Sequence, residues 1–136
     1  TMKRTQQSHA VAPTRRPTMR DIGWIIGLYE GEGNCWAANG SLTLRVGQDD
    51  PEILYRAQDL FGGSVQCYRK SKTDPDGKPR RKHGFHFMWV LCGPRARGLA
   101  MTMYAELSAR RRFKIRSGLL RSRQRPLPLE WDGRCG

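Results

Sequence analysis

The stretch DIGWIIGLYEGEGNCWAANGSLTLRVGQDDP, residues 21–51, decides the fold. Asp21 is the expected N-cap of a helix, IGWIIGLYEGEG, whose apolar residues recur at helical spacing. The helix runs into a short strand, NCWAA (34–38). Asn39-Gly40 follows, a strong hairpin signal, because a type I′ turn needs positive φ at both central positions. The return strand, SLTLRVG (41–47), alternates Leu42, Leu44 and Val46 with Ser41, Thr43 and Arg45, the two-residue period of a half-buried strand. Asp50-Pro51 then opens a second helix, with proline in the first turn, where its missing N–H has no intrahelical partner to lose.

Beyond this stretch the second helix and two more strands follow, and no internal repeat is visible. Ile53, Leu54, Ala57, Leu60 and Phe61 form the buried stripe of the second helix, and Gly62-Gly63 ends it. A third strand, SVQCYRK (64–70), leads into a polar loop, SKTDPDGKPRRK (71–82). The fourth strand, HGFHFMWVLC (83–92), is rich in aromatic and β-branched residues. Gly93-Pro94 closes it, a helix starts at about residue 94, and a basic helix covers about residues 106–123. The order predicts an α+β fold, αββαββα(α): a four-stranded antiparallel sheet with helices on one face. Leu42, Leu44, Val46, Phe87, Trp89 and Leu91 are its expected core. Residues 21–125 make this domain, and 126–136 read as a proline-bounded tail. Residues 1–20 carry Lys3, Arg4, Arg15, Arg16 and Arg20 and no acid, so they read as a flexible basic arm, a composition also similar to an organelle transit peptide.

A chain of 136 residues, 38% hydrophobic, suits one domain. The longest apolar run, Trp24 to Tyr29, is broken by Gly27 and is far short of the roughly 20 residues of a bilayer span. No charged segment followed by an apolar one marks secretion, so the expected location is the cytoplasm or an organelle matrix. Cys35, Cys67, Cys92 and Cys135 form no CxxC pair, which argues against a structural zinc site and a disulfide framework. His83 and His86 have no metal-ligand spacing with them. Lys and Arg number 25 against 12 Asp and Glu, a formal charge of +13. Arginine dominates, and its flat fork of donors matches phosphate oxygens and the acceptor edge of guanine. Nucleic acid is the first expected partner.

The first helix carries the informative chemistry. Gly23, Gly27 and Gly31 recur every four residues, although each interior glycine costs up to about 1 kcal/mol relative to alanine. That spacing makes a flat stripe on which another backbone can approach, either the protein's own sheet or a second copy of the helix. Glu30 and Glu32 lie at the helix C-terminus, where the dipole disfavours anions. They are either solvated surface acids or, if two such helices pack in parallel, carboxylates converging on a divalent cation with oxygen ligands.

IIGLYEGEG, residues 25–33, resembles the signature of the LAGLIDADG homing endonucleases. Gly27 falls on its first glycine, Glu32 on its second acid and Gly33 on its last glycine, while Tyr29 is bulkier than the usual aliphatic residue. LTLRVGQDDPEILYRAQDLFGGSV (42–65) resembles the segment that follows in the family, and the element order matches its half-domain from about residue 21 to 123. With one copy of the motif, the resemblance implies a homodimer joined through the helix of Gly23, Gly27 and Gly31.

It further implies a site-specific endonuclease that hydrolyses both strands of a long pseudo-palindromic double-stranded DNA site. Mg²⁺ is the implied cofactor, with Ca²⁺ or Mn²⁺ substituting in binding; no small-molecule cofactor and no membrane are expected. Glu32 is the implied main metal ligand, with help from the Gly31 carbonyl, and Gln48 orders water near the ion. A basic residue of LSARRRFKIRSGLL (107–120) is implied near the scissile phosphate: Arg110 by closest alignment, with Arg112 and Lys114 as substitutes. The outward set of the sheet is expected to read DNA in the major groove: Asn34, Trp36 and Ala38 on the first strand; Ser41, Thr43 and Arg45 on the second; Gln66, Tyr68 and Lys70 on the third. Trp36 either meets a thymine methyl or packs under a neighbouring loop. Lys72, Lys78, Arg80, Arg81 and Lys82 of the polar loop are expected on phosphates. A catalytically silent DNA-binding relative, or an intron RNA-binding maturase, is the alternative.

Overall fold

The structure, a computed structural model, describes residues 3–6, 9–70, 72–79, 84–123, 125 and 127–133. In chain order they form β1 (Lys3–Gln6), α1 (Met19–Glu32), β2 (Gly33–Ala38), β3 (Ser41–Gln48), α2 (Pro51–Phe61), β4 (Ser64–Arg69), β5 (Phe85–Cys92), α3 (Pro94–Met103), a 3-10 turn (Tyr104–Glu106) and α4 (Ala109–Arg121). The fold is α+β. The expected four strands form one antiparallel sheet in the order β4-β5-β3-β2, and β1 adds a fifth at the β4 edge.

The period-two pattern of β3 sets the register of the sheet. Leu42, Leu44 and Val46 are fully buried, while the residues between them are half-exposed. Across the ladder Leu44 faces Leu91 and Val46 faces Trp89, and on the far side of β5 Val65 faces Trp89. These side chains lie under Ile25 and Tyr29 of α1, Leu54, Ala57 and Leu60 of α2, Leu99 and Met103 of α3, and Ile115 of α4. A one-residue slip would turn the whole apolar set of a strand outward, so this burial fixes the register. Phe87 is only partly buried against the core. Trp89 keeps its indole N–H satisfied in the interior by donating to the Gly62 carbonyl at 2.8 Å.

Local turn chemistry acts as expected at three junctions. Asn39 and Gly40 both take positive φ, 53° and 76°, and join β2 to β3. Asp50 caps α2, its Oδ1 accepting from the Glu52 amide at 3.0 Å. Gly62 and Gly63, at φ of 82° and 92°, end that helix. Ile53 is half-buried rather than part of the fully buried stripe.

Four expectations need correcting. The first helix starts at Met19, and its N-cap is Thr18, not Asp21. Asp21 is the third helical residue and closes a capping box: its amide donates to Thr18 Oγ1 at 3.2 Å, and its Oδ2 accepts from the Thr18 amide at 2.9 Å. The expected free arm is tied to the body. Lys3–Gln6 is strand β1, Val11 exchanges hydrogen bonds with Gly63 at 2.9 Å, and Thr14 N donates to Asp59 O at 2.8 Å. Main-chain groups supply these links, so polar side-chain composition did not reveal them. The last helix is shorter, Ala109–Arg121, capped by Ser108 and preceded by the 3-10 turn. The expected tail also docks: Leu127 N donates to Pro94 O, and Asp132 N to Pro17 O, each at 2.8 Å.

Candidate functional site

The glycine stripe of α1 faces away from the protein. Gly23, Gly27 and Gly31 are exposed, and a Cβ built at any of them meets nothing within 4 Å. The opposite side of the helix carries Ile25 and Tyr29 into the core. Close packing on the protein's own sheet therefore does not account for the stripe. Gly33 is different: it is buried, and the Tyr29 ring fills the place where its side chain would stand.

The two acids at the end of α1 have separate fates. Glu30 turns to α4. Its Oε1 accepts from the Ser108 amide at 2.5 Å and its Oε2 from the Ser108 hydroxyl at 2.9 Å. Those two hydrogen bonds, with Arg111 and Arg110 nearby, hold its carboxyl below the usual carboxylate range. Glu32 is exposed, and among the described residues nothing hydrogen-bonds or pairs with it. Its immediate neighbours are pinned by Arg111, which the sequence reading did not single out. The Arg111 Nε donates to the Glu30 carbonyl at 3.1 Å, Nη2 to the Gly31 carbonyl at 3.4 Å, and Nη1 to the Gly33 carbonyl. The last turn of α1 has no basic residue of its own, so Arg111 is the cation that offsets the negative end of the helix.

Gln48 closes β3. Gly33, directly after Glu32, pairs with Val46, two residues before Gln48, so both groups lie at one end of the sheet. Of the basic candidates on α4, Arg110 is exposed and Arg112 half-buried. Lys114 is also exposed and brings its Nζ within 3.5 Å of Asn34 Oδ1. It thus connects the last helix to the outward set of β2.

That outward set occupies one face of the sheet. Trp36 is 39% exposed, and the Arg45 guanidinium lies 5.0 Å from its ring centroid. The stacking partner is thus a diagonal neighbour on β3, because Trp36 pairs with Thr43 and Asn34 with Arg45. Ala38 is exposed, while Asn34, Ser41 and Thr43 are half-buried. On β4 the Tyr68 hydroxyl donates to Gln66 Oε1 at 2.7 Å, and Gln66 Nε2 donates to Ser64 Oγ at 3.2 Å. Lys70 donates to Asp49 Oδ2 at 2.9 Å, and His86 Nδ1 lies 2.9 Å from Asp49 Oδ1. His86 and Lys70 together hold the Asp49 carboxyl below its ordinary range. No sequence spacing marks Asp49, because the cluster assembles across three chain segments.

Lys72 and Lys78 are exposed on the β4–β5 loop, which is shaped by the Asp74 carboxylate accepting from the Asp76 and Lys78 amides. Arg80, Arg81, Lys82 and His83 lie outside the described residues, as does Cys135. Among the described residues no three His, Cys, Asp or Glu side chains gather in one chain as a metal site. Mg²⁺ takes one or two carboxylates plus waters and phosphate oxygens; Glu32 offers one uncommitted carboxylate of that hard-oxygen kind, while the Gly31 carbonyl, expected to help, already accepts from Arg111 Nη2 at 3.4 Å. No described helix is long and apolar enough to cross a membrane. Set against family models, curated proteins and solved structures, the chain matches none of them.

Proposed function

We propose that the chain is a homodimeric, metal-dependent, site-specific DNA endonuclease of LAGLIDADG type. The observation that carries this reading is the bare glycine stripe of α1, open to solvent and ending on the uncommitted carboxylate of Glu32. A stripe costing up to about 1 kcal/mol per glycine serves no packing role within one chain. Two chains meeting along it bring their helix ends, and hence both Glu32 side chains, toward one axis. The formal charge of +13 and the polar, arginine-bearing sheet face support duplex DNA as the partner.

In this reading Glu32 of each copy holds the cation. Bound Mg²⁺ supplies Lewis-acid charge on the scissile phosphate and makes a water more acidic. The chain's own residues do the rest. Gln48 orients water through its amide, as both donor and acceptor. Lys114, anchored near Asn34, and Arg110 place positive charge beside the phosphate. Arg45, Gln66 and Tyr68 present donors and acceptors to base edges.

The test is cleavage of a plasmid library carrying randomised sites, with Mg²⁺, by the wild type and by Glu32→Gln. The expected result is a discrete set of double-strand cuts by the wild type and none by the variant. Mg²⁺-dependent cutting retained by Glu32→Gln would falsify the metal assignment. Sequence-specific binding without any cutting by the wild type would favour the silent DNA-binding alternative.

A further inference from the structure

Arg111 touches neither solvent-side chemistry nor, among the described residues, the Glu32 carboxylate. Its side chain is only 11% exposed, yet its guanidinium serves the carbonyls of Glu30, Gly31 and Gly33, which bracket Glu32 on both sides. The arrangement is reciprocal: Glu30 caps the start of α4 through Ser108, and Arg111, in the first turn of α4, caps the end of α1. Helical phase explains the choice. Arg110 and Arg112 flank it in sequence, but Arg111 is the one that faces α1, over the Tyr29 ring at 6.0 Å. Only a planar fork of donors spans three carbonyls at once; a lysine ammonium is a point donor.

We propose that Arg111 is the positioning residue of the Glu32 site: by clamping the main chain on either side of Glu32 to α4, it fixes where that carboxylate stands for a divalent cation. This rests on the endonuclease reading above. Two physical effects oppose each other here. The guanidinium charge repels a cation, whereas the clamp removes the main-chain freedom that a cation would otherwise have to freeze out. The positioning effect is expected to dominate, because the guanidinium charge is already paired with the Glu30 carboxylate, Nε to Oε2 at 3.8 Å. Supporting residues of this kind commonly change metal affinity by about 10- to 100-fold.

Titration of Mn²⁺ against the purified protein, with free Mn²⁺ read by electron paramagnetic resonance, separates the two effects by sign and needs no turnover. The wild type is expected to bind Mn²⁺ in a Glu32-dependent manner, with binding lost in Glu32→Gln. Arg111→Gln is expected to raise the Kd about 10- to 100-fold, and Arg111→Lys by less. Duplex DNA affinity in EDTA, read by fluorescence anisotropy, is expected to stay within about threefold, since the Arg111 side chain is largely buried and donates to main-chain carbonyls. An unchanged or lower Kd in Arg111→Gln overturns the positioning role and leaves the endonuclease reading standing. Wild-type binding no tighter than that of Glu32→Gln overturns both. If circular dichroism shows Arg111→Gln unfolded, Arg111→Lys carries the test, with an unchanged Kd overturning the proposal.

Discussion

Glu30 and Glu32 stand two positions apart and end in different surroundings because each sees different donors. Glu30 meets the free N–H and hydroxyl of Ser108 at the start of α4, where a helix N-terminus stabilises negative charge. Glu32 meets none. A third acid, Asp21, is committed most deeply. It is 5% exposed and receives the Thr18 amide and hydroxyl, Arg56 Nη2 at 3.1 Å and Arg15 at 3.5 Å. Burial pushes its carboxyl up, but the Thr18 amide, Arg56, the Thr18 hydroxyl and Arg15 outweigh burial and hold it below the ordinary value. A depressed folded value means that stability is fully present above the unfolded value, near pH 4, and is lost as pH falls through the folded one. Asp21→Ala is therefore expected to lower unfolding free energy at pH 7 by roughly 2–4 kcal/mol, measured by urea denaturation. The deficit is expected to shrink below about pH 4. A pH-independent deficit would show that the cap geometry matters and the charge does not.

The elements divide by whether their signals are local. Asn39-Gly40, Asp50-Pro51 and Gly62-Gly63 were legible because each turn or cap is decided by the backbone preferences of two adjacent residues. The alternation of β3 was legible because one face is buried. The start of α1 was misplaced because Thr18 and Asp21 are both good capping residues, and only the reciprocal hydrogen bonds assign them. The β1–β4 pairing, the Arg111 clamp and the Asp49 cluster join segments far apart in the chain, so no window of sequence contains them. For α1 itself, sequence and structure together give a sharp expectation. Gly27→Ala introduces no clash in the single chain and improves helix propensity, so the thermal stability of the monomer is expected to rise by up to about 1 kcal/mol. The same methyl groups in a Gly23→Ala/Gly27→Ala variant hold two helices apart, so sedimentation equilibrium is expected to show at least a tenfold weaker dimer. Unchanged association would move the interface off this stripe.

Across the molecule, the 25 cations set against 12 anions sit in different settings. Some cations are already spent inward: Arg56 stacks on Trp24 at 4.1 Å and pairs with Asp21, and Arg97 donates to the Leu119 carbonyl at 2.9 Å. Lys72 and Lys78 project from the β4–β5 loop into solvent, as a lysine that meets phosphates would. Arg45 stacks on Trp36 near the β2 edge of the sheet, a planar fork of donors on its outward face. The two kinds of cation predict two kinds of loss. Lys72→Ala/Lys78→Ala is expected to weaken duplex binding equally for selected and random sequences. It should also make the slope of log affinity against log salt shallower by about 1 per lysine. Arg45→Ala is expected to weaken selected DNA more than random DNA, by roughly 1–3 kcal/mol at one base pair in each half-site. Anisotropy titrations over a KCl series read both. A slope unmoved by the lysine changes removes the loop from the DNA contact, and an equal loss on every sequence in Arg45→Ala makes that arginine one more phosphate contact and shifts base reading to Gln66 and Tyr68 on β4.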